Sequence, residues 1–467
     1  MNNAVNFART HQARFLEELF EFLRIPSVSA RSEHDPDTRR AAEWFADHAR
    51  SAGLSADVVE TGGHPVVLAE WREAGDDAPT LLIYGHYDVQ PPEPLDLWTT
   101  PAFEPVVRDG RIYARGSADD KGQLFMHVKA LEAIFAAGGT PNANIVLLAE
   151  GEEEVGSPSL VPFVERFAER LACDAVLISD SAMFDEGVPS LLFSLRGLAY
   201  AEVHVSAARG DLHSGAYGGA VPNPAAVLAE LIAGLHDEEG KVTLPGFYDD
   251  IVEWSDDTRE AIRALPFDEA RFRDQVGAPG LTGETGWSTL ERLWIRPTCE
   301  VNGLLSGYTG EGAKTVLPAK AMAKISFRLV PDQNPGRVIE QLRAHLKRVA
   351  PSFVKVEVVE LHGGHPWRAD PSGALFEAAA DALEDAFGTR PVLVGEGGSI
   401  PIVVDFERLL GAPALLVGFA LPGCNMHAPD EWFTVENFER GIEALIGLYP
   451  RLAEALEDGR RAAPTQP

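Results

Sequence analysis

Histidine and carboxylate side chains recur in this sequence at the ends of apolar runs. TLLIYG is followed by His86 and Asp88, two residues apart, a spacing that turns both toward one side of a strand end. IVLLAEG is followed by Glu152, Glu153 and Glu154, AVLIS by Asp180, and PALLVGF by a short loop holding His427. Asp119 and Asp120 stand in RGSADDKG, directly before a helical stretch whose free N–H groups favour carboxylates. Imidazoles and carboxylates without thiolates form a donor set for Zn²⁺, Mn²⁺ or Co²⁺, and so many carboxylates around two histidines suit two ions better than one. Four or five carboxylates at the mouth of one sheet repel strongly unless divalent cations neutralise them. Two ions about 3.5–4 Å apart would do so, lower the pKa of a bound water toward ~7 and clamp a substrate oxygen. One carboxylate must then stay off the metals to take the water's proton. That chemistry is hydrolysis.

Each piece taken alone also has a structural reading. HxD after a strand fits a hydrogen-bonded turn, the glutamate run a solvated loop or helix start, and Asp119 with Asp120 a helix cap and its neighbour. Asp180 fits a strand-end acid and His427 a loop histidine. The functional reading rests on all five sets ending or following an apolar run, because ligands in open α/β sheets bind at the carboxyl ends of strands.

The elements that must position these residues follow from hydrophobic pattern. Phe15, Leu16, Leu19, Phe20 and Leu23 recur at helical spacing, and Pro26 ends that pattern. Apolar runs at 80–86, 144–154 and 174–180, with a helical stretch near 124–135, give an α/β order whose strands are buried on both faces. From about Arg196 the pattern changes to longer alternating strands, at 199–207 and 321–331, each near a helical segment, which is α+β. The interval 249–294 is charged and irregular, and is expected to form loops with short helices. Near Gly373 the α/β character returns. The expected domains are therefore 1–195 and 365–467, together one catalytic domain, with 196–364 inserted between them. Two domains also suit 467 residues, more than one core usually holds. The last residues, RRAAPTQP, are expected to fray.

Composition narrows the function. With 45% hydrophobic residues both domains can be well packed, and a formal net charge of −31 repels phosphate backbones and anionic bilayers, so neither nucleic acid nor a membrane surface is an expected partner. Cys173, Cys299 and Cys424 lie far apart without CxxC spacing, which fits a reducing compartment. MNNAVNFARTHQARFLEELF lacks the pattern of a secretory signal, and no stretch of ~18 uncharged apolar residues occurs, so a cytoplasmic location is expected.

Taken in order, YGHYDVQP, YARGSADDKG, EGEEEVGS, LISD, GDLHSGAYGG, GAKTVLP, SFRLVP, GEGGSIP and NMHAPDE resemble the metallopeptidase family of carnosinase and cytosolic nonspecific dipeptidase. Carboxypeptidase G, aminoacylase-1 and the acetylornithine and succinyl-diaminopimelate deacylases are more distant members. The resemblance runs from about residue 7 to 448, and GDLHSGAYGG with GEGGSIP favours the dipeptidase branch. It implies a zinc-peptidase-like α/β catalytic domain, with a central mixed sheet flanked by helices, interrupted by an inserted α+β lid and dimerisation domain. It further implies that His86 and Asp180 bind one metal, Glu154 and His427 the other, and that Asp119 bridges them, with a cis Asp119–Asp120 peptide. Asp88 would orient His86. Glu153 would be the general base toward a hydroxide bridging two Zn²⁺ ions, with Mn²⁺ or Co²⁺ as alternatives. His213 would polarise the scissile carbonyl across a homodimer interface. Arg328, Thr315, Gly398 and Ser399 would hold the substrate's C-terminal carboxylate, and Asn223 would lie near the carbonyl. Taken alone, Arg328 also fits an exposed strand arginine, His213 a turn residue and Asn223 a helix cap.

The implied activity is hydrolysis of dipeptides and other short peptides. The rivals are an N-acyl or N-carbamoyl amino acid deacylase using the same metals, and a binding protein that keeps the metals without catalysis. Two departures from the family pattern bear on the site. Three glutamates stand where relatives have two, which leaves a one-residue shift open, although the spacing to Gly156 and Ser157 favours Glu153 and Glu154. Asp430 replaces an asparagine common in relatives, behind His427.

Overall fold

The computed structural model describes residues 2–398 and 400–462, so the expectation for Ser399 lies outside the described residues. The chain divides into two compact units: one holds the residues up to Phe193, Ala369–Val394 and those from Asp405 on, and the other holds Ser194–Arg368 and Gly395–Val404.

The first unit is built on a mixed sheet. In chain order its main elements are α1 (Asn2–Leu23), α2 (Asp35–Ser51), β1 (Ser55–Val59), β2 (Val66–Trp71), β3 (Thr80–His86), α3 (Lys121–Ala136), β4 (Asn144–Glu150), β5 (Ala175–Ile178), β6 (Ser190–Leu195), α4 (Ala374–Phe387), β7 (Ala414–Leu416) and α5 (Val435–Ala462). The strand order is β1-β2-β4-β3-β5-β7-β6. β3 runs parallel to β4 and β5, and β7 parallel to β5, while β2 opposes β4. Every residue of β3, β4 and β5 is buried, as expected of parallel strands covered on both faces.

The helices cover the sheet with one apolar cluster. Phe15, Leu19 and Phe22 of α1 meet Leu124, Phe125 and Val128 of α3 and Leu445 and Tyr449 of α5 within it. α3 is buried nearly all round, which is how a central helix differs from an amphipathic surface one. Its first residue, Lys121, donates to the carbonyls of Phe22 (3.1 Å) and Ile25 (2.6 Å), adding a buried cross-link to the turn that follows α1. Helix α5 extends into the segment expected to fray. Arg460 is helical and pairs with Asp174 at 2.5 Å, while residues 463–467 of the expected tail lie outside the described residues.

The second unit is α+β. Its four-stranded sheet orders Thr298–Ser306, Lys320–Leu329, Gly197–Ser206 and Lys355–Gly364, all antiparallel. Strict alternation along Gly197–Ser206 buries Ala199, Ala201, Val203 and Val205 against the helices Pro224–Ala233 and Pro335–Val349. The charged interval forms three short helices, Asp256–Arg263, Glu269–Gln275 and Thr289–Trp294. Among the described residues no helix is long and apolar enough to cross a membrane.

One contact ties the sheet to the loop above it. A Cβ added to Gly85, between Tyr84 and His86 on β3, would lie 2.6 Å from Asp120 Oδ2 and 2.9 Å from Leu124 Cδ1. Gly85→Ala is therefore expected to destabilise the chain by about 1–3 kcal/mol through overpacking, read as a lower urea midpoint at unchanged m-value.

Candidate metal centre

Five donors converge at the carboxyl ends of β3, β4 and β5. His86, Asp119 and Asp180 offer ligand atoms within 4.8 Å of one another, and Asp119, Glu154 and His427 do the same. Asp119 belongs to both sets. Its Oδ1 lies 3.1 Å from His86 Nε2 and its Oδ2 lies 2.9 Å from His427 Nε2, so each oxygen of one carboxylate faces a different imidazole. Asp180 Oδ2 is 3.9 Å from His86 Nε2, and Glu154 Oε2 is 3.3 Å from His427 Nε2. His86 is fully buried, whereas the His427 side chain is 57% exposed.

Local structure explains each placement. The Asp119–Asp120 peptide is cis, and Asp120 Oδ2 accepts the backbone N–H of His86 at 3.2 Å. His86 Nδ1 lies 3.1 Å from the carbonyl oxygen of Asp88 and 3.4 Å from its carboxylate. The Asp88 carboxylate also accepts from Ser29 Oγ (2.6 Å) and from the N–H groups of Glu153 (3.2 Å) and Glu154 (3.1 Å). One buried acid thus touches both the histidine and the turn that presents the glutamates. Glu152 takes no part in either donor set: its oxygens accept the N–H groups of His64 (3.0 Å) and Ser159 (3.1 Å). Glu154 is held by Gln90, whose N–H and side-chain amide reach its two oxygens at 3.0 and 2.7 Å. His427 sits at φ 60° in a loop where Asn425 and Asp430 also have positive φ, a backbone state that non-glycine residues adopt at a cost of about 1–3 kcal/mol each. Asp430 accepts from the Thr99 N–H (2.8 Å) and hydroxyl (2.5 Å), which anchors that loop.

The charges demand compensation. Burial pushes Asp180 up to about 7, helped by the carboxylates of Asp119 and Glu154. Burial likewise raises Glu153 well above the usual carboxylate range, with Asp180, Glu154 and Asp119 adding to it. Hydrogen bonds to Asp119 and Glu154 raise His427 to about 10. Burial would lower His86, but its bonds to Asp119 and Asp88 and the charge of Asp180 raise it well above its ordinary value. For Asp119 burial works upward, yet the bonds from His427 and His86 hold it well below. Without ions, protons must do this balancing. Two imidazoles and three carboxylates, arranged as two triads around one shared acid, fit a pair of borderline divalent cations.

The remaining expected residues belong to the second unit. His213 pairs with Val316 in a short ladder, and Ser214 N–H donates to the Thr315 carbonyl at 3.0 Å. His213 Nδ1 accepts the N–H of Gly215 at 3.0 Å. Arg328 stands opposite Leu198 and Thr298, on the sheet face away from buried Phe327 and Leu329. Asn223 caps the helix Pro224–Ala233, its side-chain oxygen accepting from Ala225 N–H at 2.9 Å. The N–H of Gly398 points to Glu396 Oε1 at 3.3 Å. Sequence reasoning passed over Arg196, which donates to the Gly397 carbonyl at 3.2 Å, and Glu431, which lies beneath Asp119. Glu431 had a visible signal, an acid four residues beyond His427 in the same motif.

Sheet topology and donor set together define a metal-dependent hydrolase. The profile of peptidase family M20/M25/M40 matches residues 82–450, and the chain belongs to that family. The Cys-Gly metallodipeptidase DUG1 of Candida albicans is 32% identical over 457 residues, spanning 93% of this chain and 93% of its own. The crystal structure of human carnosine dipeptidase 1 aligns with a TM-score of 0.82 and 29% identity, covering 97% of this chain and 98% of that one. The M20 family metallo-carboxypeptidase Sso-CP2 from Sulfolobus solfataricus aligns with a TM-score of 0.81 and 33% identity, over 93% of this chain and 99% of that one.

The raised groups share one linkage sign. Asp180 binds its proton up to about 7 in the folded chain against 3.8 ordinarily, so its stability is present at low pH and lost through that window. His427 behaves likewise between 6.5 and about 10. Asp119 has the opposite sign, but its effect is confined to acid below its ordinary 3.8. The ion-stripped chain should thus show a melting temperature that falls from about pH 5 to about pH 9, and saturating Zn²⁺ or Mn²⁺ should raise and flatten that profile in calorimetry.

Proposed function

We propose that this chain is a metal-dependent dipeptidase that hydrolyses the amide bond of dipeptides and other short peptides. One observation carries the reading: Asp119 turns its two oxygens to two different imidazoles, each completed by a further carboxylate. The names of its relatives, a Cys-Gly metallodipeptidase and a carnosine dipeptidase, supply the substrate class.

His86 and Asp180 would hold one divalent ion and Glu154 and His427 the other, with Asp119 shared between the two sets; Zn²⁺ is the metal proposed, and Mn²⁺ or Co²⁺ would suit the same donors. When bound, two such ions supply water activation near neutral pH and a Lewis-acid hold on the substrate oxygen. Glu153 takes the proton of the attacking water and returns it to the leaving amine. Among the described residues its carboxylate has no hydrogen-bond partner, although Asp88 holds its backbone N–H at 3.2 Å, which leaves both oxygens for proton transfer. His213 polarises the scissile carbonyl. Because its Nδ1 accepts from Gly215, the neutral ring carries its proton on Nε2, the tautomer that donates. Arg328, Thr315, Gly398 and Ser399 hold the peptide's terminal carboxylate, with Asn223 near the carbonyl. The inserted segment 196–364 acts as lid and homodimerisation domain, with His213 serving the partner copy. The three free thiols support a reducing, cytoplasmic setting.

Amine release from a dipeptide panel, set beside N-acetyl and N-carbamoyl amino acids, tests the reading. Metal-dependent cleavage confined to the dipeptides is expected, and turnover of the acyl derivatives alone would replace it with a deacylase. Glu153→Ala should lower kcat by about 10²–10⁴ while the protein still takes up its ions. Arg328→Met should raise KM for free dipeptides by about 10- to 100-fold and leave C-terminally amidated ones little changed, as loss of one charge-assisted hydrogen bond requires.

A further inference from the structure

Glu431 is fully buried and belongs to neither donor triad. Its Oε2 accepts from Arg115 Nη1 (2.7 Å) and from the N–H of Gly116 (2.9 Å). Its Oε1 accepts from the N–H groups of Ala118 (2.9 Å) and Asp119 (3.1 Å). Four donors therefore close on one carboxylate, and three of them are backbone groups of the loop that presents Asp119. The main chain of Glu431 adds a fifth bond, accepting Ala114 N–H at 3.1 Å. Immediately after it, Trp432 N–H donates to the Cys424 carbonyl at 2.9 Å and closes the loop that carries His427.

We infer that Glu431 is a positioning residue that ties the loop of Asp119 to the loop of His427 and so sets the spacing of the two-ion site. The inference rests on the metal reading proposed above. A simpler role would be to neutralise Arg115, which is also buried. The bond census argues against it: Arg115 supplies one of the four side-chain bonds, and the other three hold backbone that carries no charge to neutralise. Their direction matters more than their number. Two N–H groups on Oε1 belong to Asp119 and to the residue before it, so the carboxylate fixes the peptide from which the shared ligand projects. Groups that orient metal ligands in this way typically govern metal affinity by 10- to 100-fold.

Glu431→Gln keeps the shape but turns an amide NH₂ toward two of the four donors. The test titrates Zn²⁺ into metal-stripped full-length protein by calorimetry and records the melting temperature of each stripped chain. Four proteins are compared: wild type, E431Q, the neutral pair R115M/E431Q, and Leu342→Ala, a cavity variant in the core of the other unit. Wild type should take up two ions, and E431Q should bind at least one of them about 10- to 100-fold more weakly. The neutral pair should not recover that loss, and L342A should keep wild-type affinity despite its lower melting temperature. Wild-type affinity in E431Q, or its recovery in the neutral pair, would overturn the inference. Should E431Q fail to fold, Glu431→Asp replaces it, since the shorter arm keeps the charge but cannot span Arg115 and Asp119 together; unchanged affinity there is equally fatal. A wild-type chain that takes up no ion sinks the metal reading itself, whereas two ions bound by wild type beside an unaffected E431Q sinks the tether alone.

Discussion

Everything in the first unit is arranged around carboxylates that repel one another. Asp119, Glu153, Glu154 and Asp180 crowd the ends of three neighbouring strands, where burial makes each charge costly and its neighbours make it costlier. Asp119 eases this by facing an imidazole with each oxygen. Such a cluster persists only if the backbone beneath it is held against that repulsion.

The rigidity comes from a layer of acids and amides that bind main chain. Asp88 holds the turn of Glu153 and Glu154, Glu152 holds His64 and Ser159, Asp120 holds the N–H of His86, and Gln90 holds Glu154. Asp88 and Glu152 are compensated on both oxygens, and Asp120 on one, by groups that include N–H donors a strand-to-loop transition would otherwise leave without partners. The irregular backbone needed to aim ligands thus supplies the donors that keep the supporting acids tolerable.

Much of this was legible beforehand, and for a physical reason. Buried parallel strands are written as unbroken apolar runs, so β3, β4 and β5 stood out and the residues after them marked the mouth of the sheet. Apart from Asp88, the supporting layer was not legible, since a side chain that bonds backbone leaves no spacing rule behind. Nothing in EGEEE says that Glu152 serves both His64, far back along the chain, and Ser159, just beyond it. Glu431 was quoted within a motif but had no role there, because its partners lie more than three hundred residues earlier. The helical state of Arg460 was hidden for the same kind of reason, an ion pair to the distant Asp174.

The sheet order carries a consequence for how the molecule is made. Strand β7, from the last stretch of the chain, sits between β5 and β6 in the interior of the sheet rather than at an edge. The second unit is contiguous over Ser194–Arg368 apart from a short return, so a ribosome releases it whole while the first sheet still has a gap. His427 lies in the loop that follows β7, so the last member of the donor set arrives just after the last interior strand. A chain cut before β7 accordingly lacks both a closed sheet and a complete donor set, so the chemistry proposed for that set has to wait for a strand made after the whole of the second unit.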